Sequence, residues 1–427
     1  MILKRLPLIF ACAGLTAGIV AAAAAMQSVE AHQVGFVGLI LAGWLLTGLL
    51  FGFSVRNSLL FSALFFLKPY PQSFISVLFI LPLSLLLEFQ QEKRRSLLLP
   101  HPAALIILFA VAVYGFMRAR SFGDSYLYFL STAIVPGIFM LLAANSRISR
   151  ADFTAWLKFI VYVGVVLAVI GIVMALLNPA ERYGSLWITA MNINGFYLLA
   201  FFFAIALGVD SRGSGSRHLW YAFAFLILMG MLYTYTRIVL VGVAVGFFLL
   251  MLRMKRMRYV GMGTLLLLPL LIPSSMISRI QLGFTFDYSI IIRLVAWYFS
   301  IQQIMLHPWF GIGISVWKDW YAGAAPMDIL YAEHSHNIFL KIWLEIGVFG
   351  FLAYFYLIAA VLRRYYLRLV KRSEDNFHRV VLIGLAALLV ACLTDIFIQQ
   401  YHVSLVFWST LGFAYALSKN EPQIEEQ

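Results

Sequence analysis

Charge is what this sequence has least of. Only 11% of its 427 residues are Asp, Glu, Lys or Arg, against 63% that are hydrophobic. A soluble domain carries about 25% charged and about 45–50% apolar residues, and a chain of this size could not hide so much apolar surface from water. A soluble enzyme or binding module is therefore excluded. Cysteine is nearly absent as well. The two present, Cys12 and Cys392, both lie inside apolar stretches. That rules out a disulfide framework and a cysteine metal site and leaves two small buried hydrophobes. There is no Walker-type loop, so ATP use is not indicated. There is no internal repeat and no matched pair of Gly/Pro-broken helices, which weakens a transporter reading.

What the chain does have is a succession of apolar runs, many about 20 residues long, enough to cross about 30 Å of hydrocarbon. They fall at about 6–26, 34–53, 57–67, 73–89, 102–117, 125–144, 153–177, 192–209, 219–235, 238–252, 259–273, 337–361, 380–398 and 403–418. Lys4 and Arg5 ahead of the first run could open a signal peptide; with so many spans following, a retained helix is the reading taken. The pattern predicts an all-α, polytopic integral membrane protein of about 12–14 transmembrane helices, in one transmembrane domain over 1–427.

The net charge of +13 need not mean nucleic acid. With the N-terminus cytoplasmic, more than two thirds of the 31 Lys and Arg fall in inside loops and flanks. That is the positive-inside pattern, and it puts both termini in the cytoplasm. The longest external segment is then a large loop at 274–336. Within it Tyr288–Leu306 reads as a helix lying on or near the membrane, with Trp297 and Tyr298 suited to the interface. A loop of this length among short turns is usually functional. The tail 420–427, acidic from Glu421, is expected to be disordered.

Four features of the external face go beyond what helix packing requires. Glu333-His334-Ser335-His336-Asn337 stands where the large loop re-enters the membrane, and a histidine there can exchange a proton near neutral pH. Ser335 and Asn337 are also capping types. Arg237 follows a Thr/Tyr turn between two apolar runs, where a cation is costly, although an arginine can snorkel from such a place. Arg293 sits in an apolar helix and should point at something anionic or wet, unless it stacks on Trp297 one turn on. Arg182 lies in a short external loop beside Glu181, which can neutralise it. Guanidinium groups suit phosphate oxygens through their planar fork of donors, so three arginines and a histidine suggest a site for a di-anionic lipid headgroup. No Asp-x-Asp pair or His/Asp cluster with ligand spacing appears, so a metal-dependent mechanism is not indicated. Lys341 and Glu345, four apart on one helix, are placed to pair. Gly347 and Gly350 are placed to let a neighbouring helix approach.

These residues resemble the O-antigen ligase family, related to the O-antigen polymerases. His336-Asn337, nine residues, then Gly347-Val348-Phe349-Gly350 is similar to the family's hallmark near the end of its large periplasmic loop. Arg293, Trp297 and His307-Pro308-Trp309-Phe310-Gly311-Ile312-Gly313 resemble the upstream segment, Arg237 its basic residue after a Thr/Ser turn, and Asn192-Ile193-Asn194 its Asn-x-Asn helix start. The likeness covers about 190–350, in order. It implies a GT-C-like, metal-independent, inverting glycosyltransferase of the bacterial inner membrane with a periplasmic active site. Such an enzyme takes a glycan from undecaprenyl diphosphate and needs no cofactor or nucleotide. The acceptor would be the lipid A core for a ligase, or another carrier-linked unit for a polymerase. By the same resemblance His336 would be the general base and Arg237 and Arg293 would stabilise the leaving diphosphate. Arg182, Asn192, Asn194 and Asn337 would hold substrate. A lipid or anion transporter is the reading from another class; it would need ionisable residues inside midplane segments, of which few exist, and the clearest, Asp395, lies near an external end.

Overall fold

The computed structural model describes residues 99–118, 134–146, 148–177, 188–254, 288–324, 332–371 and 375–420, with a few isolated positions elsewhere. The predicted first helix, most of the runs at 34–53, 57–67, 73–89 and 259–273, the loop holding Arg182 and the tail from Glu421 lie outside the described residues. Among the described residues the chain is helical, with turns and one bridge residue at Ile188. The helices are α1 (Pro102–Met117), α2 (Val135–Asn145), α3 (Arg150–Leu177), α4 (Ile193–Asp210), α5 (Ser214–Tyr233) and α6 (Arg237–Arg253), then α7 (Tyr288–Leu306), α8 (Val316–Ala324), α9 (Ile338–Tyr365), α10 (Asn376–Ala391) and α11 (Tyr401–Asn420). By length and composition α3, α4, α7 and α9 with its π-turn extension to Val370 can cross a membrane, and α1, α2 and α10 are shorter apolar helices. The fold is that of an all-α polytopic membrane protein.

Helix α4 is the hub. Every residue from Ile193 to Gly208 is buried, which fits a sequence apolar all round rather than on one stripe. It packs against α3, α5 and α10, and α10 in turn against α6. A second group forms around α9, which packs on α1, α7 and α11, while α11 packs on α2. The helix starts are written locally. Ser149 and Asp152 exchange backbone N–H bonds at 3.1 Å, a reciprocal cap at the head of α3. Asp375 accepts from the Phe377 N–H at 2.9 Å and so opens α10.

Polar contacts sort the helix ends into two sets. At one end Arg150 reaches Asp210 at 2.7 Å and Asp375 at 2.6 Å, so the start of α3, the end of α4 and the start of α10 lie together. At the other end a His402 ring nitrogen lies 2.7 Å from the Asn192 carbonyl oxygen, and the Ile338 N–H donates to the Cys392 carbonyl at 3.1 Å. The starts of α4, α9 and α11 and the end of α10 therefore share this second end.

Three expectations change in detail. The run 380–398 is not one helix. It stops at Ala391, and residues 392–400 form a turn containing a short 3₁₀ piece, Phe397–Gln399. Helix α7 has the predicted bounds, but it is long and apolar enough to cross a membrane, so its composition does not require it to lie flat. Its buried residues Ala296, Ser300 and Ile304 recur every four positions and form one stripe. The Lys341–Glu345 pair is present at 2.5 Å and buried.

The third change concerns the glycines. Gly347 breaks α9 with a φ of +67°, and what approaches it is a loop rather than a neighbouring helix. The Val348 N–H donates to the Pro308 carbonyl at 2.9 Å, and Ile312 and Gly313 donate to the Leu344 and Glu345 carbonyls at 2.8 and 3.2 Å. The Trp343 indole adds a bond to the Pro308 carbonyl. The His307–Gly313 segment and the Gly347 break therefore satisfy each other's backbone, the condition for interrupting a helix at membrane depth. A Cβ at Gly347 would stand 2.0 Å from the Trp309 carbonyl oxygen, and one at Gly311 2.5 Å from that of Leu344, whereas the nearest atoms to one at Gly350 belong to Ile346 of its own helix. Gly347→Ala is expected to cost at least ~1–3 kcal/mol from backbone strain alone, read as a lower unfolding midpoint in detergent. An unchanged midpoint would show that the break is not tied to the loop.

Candidate active site

Arg293 sits on α7, half-buried. Its Nε donates to the Thr394 carbonyl at 3.3 Å, and its Nη1 to the Ser289 carbonyl at 2.9 Å and to the Ser289 hydroxyl. It thus ties α7 to the turn that follows α10. It does not stack on Trp297; the guanidinium is turned to Thr394, and Nη2 has no protein partner among the described residues.

His336 stands just before α9 in a left-handed conformation, φ +48°, which is uncommon for a residue with a Cβ and is found at sites where the surroundings enforce it. Its ring meets that of His334 edge to face, centroids 4.2 Å apart. The unwound turn brings in Asp395. One ring nitrogen from each histidine and a carboxylate oxygen of Asp395 all lie within 4.8 Å of one another. Asp395 Oδ1 accepts from the Ile396 N–H at 2.8 Å. His334 Nδ1, His336 Nδ1 and Asp395 Oδ2 are buried without hydrogen-bond partners. Buried polar atoms are nearly always paired, so three left open in one place mark a site shaped for something other than its own packing. Burial first, then His334 and then Arg293 push the His336 imidazole down to about 3. Burial raises the Asp395 carboxyl, against the opposing influence of His334, the Ile396 N–H and Arg293.

This trio went unseen in the sequence. His334 lies outside the ligase-like motif, and Asp395 arrives from a distant turn, so no spacing along the chain could reveal the cluster. Two imidazoles and a carboxylate are also a donor set that transition metals take. The spacing argument against a metal therefore does not apply to this site.

The other expected residues divide. Arg237 is the first residue of α6, half-buried. Five residues on, Gly242 lies against Ala387 and Ala391 of α10, so α6 begins at the end where α10 finishes and the 392–400 turn starts. That is the end of the fold holding Arg293, His334 and His336. Asn194 is fully buried, and its amide bonds the Ala190 carbonyl and the Thr234 hydroxyl; its place is in bracing α4 against α5. Asn337 caps α9, its side chain accepting from Phe339 N–H at 2.9 Å and Leu340 N–H at 3.2 Å. Asn192 offers its carbonyl to His402. Arg182 lies outside the described residues.

The arrangement is a helical membrane protein with cationic and imidazole groups gathered at one end of the bundle around an unwound turn. Compared with known protein families, residues 222–355 match the one described as O-antigen ligase. That match agrees with the resemblance read from the sequence, over a stretch that holds Arg237, Arg293, His336 and the Gly347 break. No curated protein matches the chain.

Proposed function

We propose that the chain is an inverting glycosyltransferase that moves a glycan from undecaprenyl diphosphate to the lipid A core at the periplasmic face of the bacterial inner membrane. The observation that carries this is the meeting of Arg293, His336, His334 and Asp395 at one end of the fold, inside or just beyond the segment that matches the ligase family. The acceptor hydroxyl oxygen attacks the anomeric carbon while the bond to the diphosphate breaks on the opposite side, which inverts that carbon. His336 takes the hydroxyl proton. The departing lipid diphosphate keeps the electron pair, and its charge is met by Arg293 and Arg237 in a preorganised setting, with Arg182 as a further contact. The donor is already activated, so no nucleotide enters, and no metal is required when two guanidinium groups carry the charge.

The test is transfer by purified protein given an undecaprenyl-diphosphate glycan and rough lipopolysaccharide, with and without chelator. Product on the lipopolysaccharide at the same rate in chelator is the expected result. A lengthened carrier-linked chain would make it a polymerase. Loss of activity in chelator, restored by a divalent ion, would assign the His334–His336–Asp395 trio to a metal and end the base role of His336. Movement of intact lipid across vesicles with no covalent product would support the transporter reading.

A further inference from the structure

We propose that His334, His336 and Asp395 form a site for a divalent transition-metal ion of the zinc class, and that the bound ion switches transfer off by occupying His336. The site rests on the cluster alone; the inhibition rests on the glycan-transfer reading above. The cluster is assembled from two distant parts of the chain. His334 and His336 stand just before α9, where His336 has its left-handed φ of +48° and the two rings meet with centroids 4.2 Å apart. Asp395 comes from the turn after α10.

Each of the three keeps a buried atom without a hydrogen-bond partner among the described residues: His334 Nδ1, His336 Nδ1 and Asp395 Oδ2. Asp395 is only 4% exposed. A carboxylate oxygen left open in the interior is costly, and an ion taken on these three atoms would break no existing bond. One ring nitrogen from each histidine and a carboxylate oxygen already lie within 4.8 Å of one another. Zinc holds nitrogen and oxygen ligands at about 2.0–2.2 Å, so two of them stand at most about 4.4 Å apart. The trio therefore needs only a small closing movement of its side chains. The Ile396 N–H on Asp395 Oδ1 is the kind of outer contact that orients a ligating carboxylate.

The donor set says which ion. Imidazole with carboxylate suits zinc and its neighbours, whereas magnesium and calcium take oxygen ligands. The position says what the ion does. Arg293 donates to the Thr394 carbonyl, one residue from Asp395, so a fixed cation already stands where the leaving diphosphate gathers charge, and a second cation is not needed there. His336 is the group an ion would take away. A neutral imidazole has a single nitrogen lone pair. That pair either accepts the proton of the acceptor hydroxyl or binds the metal, and it cannot do both. A bound ion therefore stops transfer, and its removal restores the base.

The test titrates zinc into the purified, chelator-treated full-length protein, first without substrates by calorimetry and then during transfer. One zinc per chain is expected. As that site fills, transfer should fall at least about a hundredfold, the share a general base contributes, and excess chelator should restore it. Magnesium at the same concentrations should not inhibit. His334→Ala and Asp395→Asn should each weaken zinc binding at least about tenfold, the scale on which even outer contacts of a metal site matter. His334→Cys, which keeps a zinc ligand, should retain it. No stoichiometric zinc, or undiminished affinity in His334→Ala and Asp395→Asn, would overturn the site. Zinc bound there with transfer unchanged or faster would overturn the inhibition. Should the variants not fold, cobalt(II) is bound to the unaltered protein. An intense visible absorption of low-coordinate cobalt that zinc abolishes supports the site; the weak spectrum of the aqueous ion refutes it. Zinc held by the trio of a protein that transfers nothing even when zinc-free would sink the glycan-transfer reading and leave the site standing. Transfer by a protein that takes up no zinc would do the reverse.

Discussion

His336→Ala is expected to slow glycan transfer about a hundred- to ten-thousand-fold, the range a general base contributes, with the protein still folded and present in the membrane. The helix start that follows would survive, because Asn337 rather than His336 supplies the cap of α9. The substitution gives no relief of the left-handed φ of +48°, since Ala has no greater liking for that region than His. The pH profile separates a base from a structural histidine. In the free protein burial, His334 and Arg293 hold the imidazole near 3. It is therefore neutral, and able to accept a proton, at every pH well above that value. The acid limb of kcat/KM, which reports the free enzyme, should lie far below the value of about 6.5 for an ordinary imidazole. The donor then changes the balance. A diphosphate beside Arg293 neutralises one of the charges that disfavour the imidazolium, and its own negative charge favours it. The limb of kcat, which reports the bound complex, should be displaced upward by about one pH unit or more. That shift also improves the base, since proton transfer is most effective when its pKa approaches the working pH. Coincident limbs near 6.5, or a fully active His336→Ala protein, would rule out the assignment.

The legible part of this molecule is what hydropathy and local motifs encode. The run 102–117 is α1 residue for residue, and Tyr288–Leu306 is α7, because an apolar stretch of the right length has only a helix open to it in a bilayer. Arg293 and His336 could be picked out for the same reason: a cation in an apolar helix and a histidine at a re-entry point are costly and need a use. What the sequence could not display was the break after Ala391. Its flanks are as apolar as any helix here, and the chain unwinds there because distant groups donate to the exposed carbonyls: the Ile338 N–H to that of Cys392 and the Arg293 Nε to that of Thr394. Asp395 consequently reads as the end of a span and turns out to face two histidines. The glycine motifs misled in a related way. The four-residue Gly347–Gly350 spacing resembles a helix-contact signature, whereas only the left-handed φ of Gly347 and the backbone of His307–Gly313 explain it. Both misses are tertiary: each segment's conformation is set by hydrogen bonds to residues far away in the chain.

Arg293→Ala carries the second large expected effect, and its two roles can be separated. As an electrostatic partner of the leaving diphosphate, the guanidinium should contribute about a hundred- to a thousand-fold in rate, the loss seen when one preorganised donor to developing charge is removed. As a brace, it donates to the Thr394 carbonyl at 3.3 Å and holds the 392–400 turn against α7. Losing that bond should cost about 1–3 kcal/mol, since a carbonyl in the interior is left open. Ala removes both roles; Lys keeps the positive charge but not the fork that binds Thr394 and Ser289 while leaving Nη2 free. If charge is what matters, Arg293→Lys should recover a large part of the rate while its unfolding midpoint stays low. If bracing is what matters, Lys should be as inactive as Ala, and the fall in rate should follow the fall in midpoint across both variants. Donor KM supplies the third reading. A charge that acts on the departing diphosphate more than on the bound one lowers kcat and kcat/KM together and leaves KM near its original value. A rise in KM alone would make Arg293 a handle for the donor and move the transition-state role to Arg237.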